Sequence, residues 1–108
     1  MTILKVSASS NPNAVAGAIY ANVRESGCAK LQAIGAGAVN QAAKAIAIAR
    51  EFCQKTNFDF VCLPEFYTLE IDAKECTAIR FSVRPVRRKE KIQETTWNQD
   101  TTSMKNTA

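Results

Sequence analysis

The run Leu31–Arg50, LQAIGAGAVNQAAKAIAIAR, constrains this chain more than any other segment. A short apolar strand leads into Gly35-Ala36-Gly37, and that turn opens an alanine-rich helix. Strand, tight turn and helix in this order belong to layered folds in which helices cover a sheet. The turn also leaves the first N–H groups of the helix without intrahelical partners, where phosphates and other anions bind. It is neither a P-loop nor a dinucleotide fingerprint, since it has only Gly35 and Gly37 and no G-K-[ST]. The glycines can equally serve geometry by letting two backbones approach closely. Asn40, Gln41 and Lys44 follow in the first turns of the helix, with Lys44 as counter-charge for an anion held at Gly35, Ala36 and Gly37.

The same helix predicts its own need for cover. Ile46 and Ile48 lie about 200° apart around the axis and cannot share a face. Asn40, Lys44, Glu51 and Lys55 form a polar strip, and much of the remaining circumference is apolar up to an end near Lys55. One sheet cannot cover such a helix. Either the first helix or another chain must do so, and the second option predicts a homo-oligomer, dimer or tetramer.

Thr2–Ala8 alternates Leu4, Val6 and Ala8 with Ile3, Lys5 and Ser7, the period of a half-buried strand. Ser9-Ser10-Asn11-Pro12 reads as a turn into a first helix, with Asn11 or Ser10 as N-cap and Pro12 at the first helical position. Val15, Ala16, Ile19 and Val23 form its buried face, and Gly27 stops it. Cys28–Ile34 is a second strand. Phe58–Leu63 and Phe66–Ile71 read as strands parted by Pro64, which marks an edge or a bulge. Asp72–Glu75 suits a hairpin turn. Thr77–Arg84 then pairs back, with Thr77, Ile79, Phe81 and Val83 toward the core and Arg80, Ser82 and Arg84 outward. The class is α/β, more narrowly an α+β two-layer sandwich with two helices on one face of a four-stranded mixed sheet.

Function classes narrow by what the chain lacks. At 108 residues it is one domain, and no apolar run approaches the roughly 20 residues of a membrane-spanning helix. No secretory signal is visible, so a cytoplasmic location is expected. There is no histidine, and Cys28, Cys53, Cys62 and Cys76 form no C-x-x-C or metal-ligand pattern. Ser-His and Cys-His catalysis are thereby excluded, and no enzyme, metal or cofactor is expected. The cysteines suit buried thiols.

Charge is uneven. Residues 1–79 carry equal numbers of basic and acidic side chains, whereas Arg80, Arg84, Arg87, Arg88, Lys89 and Lys91 enclose only Glu90. The folded domain is expected over 1–85, followed by a polar, basic and disordered tail over 86–108. A basic run can supply the salt-sensitive part of nucleic-acid binding, or simply a solvated terminus. The hydroxyls and amides of Ser7–Asn13 can contact a sugar–phosphate backbone, although capping the helix needs only one of them. The alternation of Phe58, Phe60 and Tyr67 fits core packing better than a stacking platform. Glu65, Glu70, Asp72 and Glu75 around the hairpin read as a solvated face.

Taken together, LKVSASSNPNAVAGAI, LQAIGAGAVNQAAKAIAIAR and the pieces FDFVCLPEF and IDAKECTAIRFSVRP resemble the stage V sporulation protein S family over about residues 2–85. Members of that family are small cytoplasmic bacterial proteins that influence sporulation, septation and cell development. Their fold resembles the Alba fold of archaeal chromatin proteins, dimers that bind DNA or RNA. The resemblance implies the order βαβαββ. Where Alba proteins carry a lysine pair before the first helix, an arginine before the second and basic hairpin arms, this chain has Ser9-Ser10-Asn11, Gly35-Ala36-Gly37 and Glu70, Asp72 and Glu75. The expectation is a non-enzymatic regulator that binds DNA or RNA through its Ser9–Asn11 and Gly35–Gly37 loops, with Lys5, Asn40, Lys44, Arg80 and Arg84. The alternative is a protein-interaction module whose apolar helix faces and hairpin recruit partners.

Overall fold

A computed structural model describes residues 2–88. The expected tail lies outside the described residues from position 89 onward. The elements are β1 (Ile3–Val6), α1 (Pro12–Ser26), β2 (Ala29–Ala33), α2 (Ala36–Phe52), β3 (Phe58–Ile71) and β4 (Lys74–Arg87). They form one four-stranded sheet in the order β1-β2-β4-β3. β1 and β2 are parallel, and the other two pairs are antiparallel.

Local chemistry sets the ends of α1. Asn11 Oδ1 accepts from the Asn13 and Ala14 N–H groups at 2.8 and 3.3 Å, and Pro12 opens the helix. Gly27 closes it, its N–H donating to the Val23 carbonyl at 2.9 Å. α2 is preceded by its N-cap Gly35, whose φ of 88° and ψ of 158° lie in a region essentially reserved for glycine. It ends at Phe52, short of the expected Lys55. Beyond it Thr56 Oγ1 donates to the Cys53 carbonyl at 2.7 Å and accepts from the Phe58 N–H at 3.1 Å, turning the chain toward β3.

The core lies between the helices and one sheet face. α1 supplies Ala16, Ile19 and Val23, and β2 and β4 supply Leu31 and Val83. The buried positions of α2 are all alanines, at 38, 42, 45 and 49. Their small side chains let α1 pack along α2. Of the two kinds of cover expected for α2, α1 supplies one, and both Ile46 and Ile48 rest partly buried on this core.

The hairpin departs most from expectation. β3 is one continuous strand through Pro64, not two. It is the sheet edge, where a residue without an N–H is tolerated. The turn is also tighter than Asp72–Glu75. Only Asp72 and Ala73 form it, with φ of 50° and 64°, the two-residue geometry whose twist matches paired strands. β4 meets β2 only over Ile79–Val83, so the turn end of the hairpin, residues 67–78, continues as an arm past the other two strands. Thr77 therefore stays exposed although its strand parity matches buried Phe81 and Val83. Phe60 is buried as expected, but Phe58 is half exposed and Tyr67 lies on the face away from the helices.

Candidate nucleic-acid interface

Because β1 and β2 are parallel neighbours, the loops that follow them leave the same end of the sheet. In the first, the Ser7 N–H donates to Ser10 Oγ at 2.9 Å and the Ser7 and Ser9 hydroxyls are 3.1 Å apart. Asn11 spends its side-chain oxygen on the α1 cap. The second loop, Gly35–Gly37, places no side chain on the α2 N-terminus. The two are held together. Gln41 Nε2 donates to the Ser10 carbonyl at 2.7 Å, and a Cβ on Gly37 would sit 2.9 Å from Ala8 Cβ. Close approach is thus one use of Gly37, alongside an exposed turn of backbone N–H groups.

Below these loops lies the sheet face that the helices leave open. Strand alternation and register put Lys5, Gln32, Arg80 and Glu65 in one row across all four strands. The next row is Ile3, Lys30, Ser82 and Leu63. Arg84 lies further along β4, opposite Val61. Cations thus recur on this face, with Glu65 at its margin.

Arg80 is the best-fixed of these cations. Its Nε donates to Gln32 Oε1 at 3.0 Å, and its guanidinium carbon stands 3.3 Å from the centre of the Tyr67 ring. Tyr67 pairs directly with Ala78, so the stack is the diagonal contact of an antiparallel ladder. Sequence reading missed Tyr67 and Gln32. The signal was the register set by the two-residue turn, which a longer turn obscures.

A groove of about 630 Å³ runs along this face, with Ile3 and Lys5 of β1, Gln32 and Arg80 on the central strands, and Leu69 and Ile71 of the arm among its lining residues. It reaches Ser7 and Ala8, so it joins the face to the paired loops. Lys5 and Arg80 come together here with Ser7 and Ala8, while Arg84 stays outside the groove. Asn40 and Lys44 are exposed on α2 and do not line it.

Asp59 belongs to a separate, structural cluster. Arg50 Nε and Nη2 bind its two oxygens at 2.9 and 2.8 Å, and Arg88 Nη2 lies 3.7 Å away. The Arg50 hydrogen bonds hold its pKa down to about 2, helped by the Phe60 N–H and both arginine charges. Burial pushes the Cys53 and Cys62 thiols up. Among the described residues no group of His, Cys, Asp or Glu could hold a metal ion, and no helix is long and apolar enough to cross a membrane.

Residues 2–86 match the model of the family described as stage V sporulation protein S. The chain belongs to the stage V sporulation protein S family. The match takes in β1 through nearly all of β4, the whole sheet and both helices. Membership supports a role connected with sporulation.

Proposed function

We propose that the protein is a non-enzymatic cytoplasmic regulator that binds DNA or RNA in the control of sporulation and cell development. The observation that carries this reading is the open sheet face, where Lys5 and Arg80 lie toward the Ser9–Asn11 and Gly35–Gly37 loops and Lys30 and Arg84 follow further along the sheet. Such a surface supplies phosphate contacts, while the uncapped N-terminus of α2 offers backbone N–H groups to an anion. Asn40 and Lys44 extend the polar surface along α2. Titration of labelled DNA and RNA at several salt concentrations tests the reading. Affinity should fall steeply with salt, and Lys5→Gln with Arg84→Gln should flatten the slope by about 0.7–0.9 for each phosphate left unneutralised. Absence of binding at low salt refutes it.

A second reading has its own support. Leu63 and Phe66 on the outer strand β3 are 68 % and 79 % exposed, one on each face of the sheet edge, apolar side chains suited to a second copy of this chain or to another protein. Light scattering tests self-association, and a monomer across micromolar concentrations refutes it.

A further inference from the structure

We propose that the nucleic acid taken by this protein is single-stranded, with an unpaired base seated in the open-face groove and stacked on the Arg80 guanidinium. The inference rests on the nucleic-acid reading above and specifies its ligand.

Three features of the groove carry it. Apolar side chains, Ile3 and Ile34 on the β1–β2 side and Leu69 and Ile71 on the arm, alternate along it with polar groups such as Lys5 and Gln32, a mixed lining that suits a base with its sugar–phosphate better than a phosphate alone. A paired duplex buries its base faces against one another, whereas an unpaired base has a free π-face to stack. The second feature is Arg80 itself. Tyr67 occupies one face of the guanidinium, Gln32 fixes its Nε, and Arg80, not Tyr67, lines the groove. A planar cation held this way is a ready stacking surface, since little rotamer freedom remains to be lost when a base lands on it.

The third feature is the distribution of charge. Lys5 stands on the same cross-strand row as Arg80 with β2 between them, about 10 Å away by strand spacing. Glu70 also lines the groove and repels phosphate from the arm side. The sugar–phosphate backbone therefore runs on the Lys5 side, toward Ser7 and Ala8, while the base points inward to Arg80.

The test uses the full chain and fluorescence anisotropy with a short labelled single strand and its matching duplex. At equal salt the strand should bind about tenfold tighter than the duplex. Arg80→Lys keeps the charge and removes the plane, so it should weaken strand binding about tenfold without changing the salt slope. Leu69→Ser, on the partly buried arm wall, should weaken the strand similarly, and a thermal melt confirms that each variant is folded. Duplex binding equal to or tighter than strand binding overturns the single-strand assignment and leaves nucleic-acid binding standing. Wild-type strand affinity in folded Arg80→Lys overturns the stacking role. Failure to bind either form overturns the underlying reading as well.

Discussion

Gly37→Ala isolates the close approach of the two loops. The new Cβ would lie 2.9 Å from Ala8 Cβ, whereas carbon atoms in contact prefer about 3.5–4.0 Å. The loops must separate by more than half an ångström, and overpacking of this kind costs about 1–3 kcal/mol. Replacing glycine in a helix returns at most about 1 kcal/mol. A net loss of about 1 kcal/mol follows, which lowers Tm by about 4–8 °C in a domain of this size. Ala8→Gly removes the opposing Cβ and leaves Ala8 Cα as the nearest atom, at an ordinary 3.7 Å. In that background Gly37→Ala should stabilise. Urea unfolding of the four proteins in this double-mutant cycle should give a coupling energy of about 1–3 kcal/mol with unchanged m-values. Additive effects, or stabilisation by Gly37→Ala alone, refute the contact.

The caps and ion pairs make further predictions. Asp59 has a folded pKa of about 2 against an ordinary value of 3.8, so its contribution is present above about pH 4 and fades as pH falls toward 2. Arg50 is more than half exposed, and solvent screening limits that contribution to about 1 kcal/mol. Asp59→Asn should cost this amount at pH 7 and nothing near pH 2, read from urea midpoints across pH. Asn11→Ala should cost about 1 kcal/mol by freeing the Asn13 and Ala14 N–H groups, as measured by thermal unfolding. Cys53 is buried and its thiol pKa is raised, so alkylation at pH 8 followed by mass spectrometry should leave it unmodified until the protein unfolds.

Elements governed by local chemistry were legible in the chain. Asn11, Pro12 and Gly27 bound α1 where capping rules put them, and Gly35 starts α2 because its backbone conformation demands glycine. Elements governed by distant partners were not. Pro64 points to an edge or a bulge, and β3 is the edge, but that the two stretches around it are one continuous strand depends on pairing with β4 along its whole length. Thr77 alternates correctly yet faces solvent, because the helices do not extend over the arm. Lys5, Arg80 and the two loops could be picked out as polar or basic. Their shared groove could not, since it depends on Lys5, Gln32 and Arg80 meeting across strands far apart in sequence. The diagonal stack of Arg80 on Tyr67 shifts with any one-residue error in the hairpin turn.

The long outer strand carries a consequence for solubility. β3 offers a 14-residue sheet border with Val61, Leu63 and Phe66 exposed along it, the kind of border that recruits further strands into open-ended assemblies. Pro64 stands between Leu63 and Phe66 and has no N–H to offer an incoming strand. The border is thereby divided into two shorter stretches, and Glu65 beside the proline adds a charge that repels a second copy aligned on the same point. One residue that nearly hides the strand from a reader of the sequence also guards the folded chain against polymerising through it.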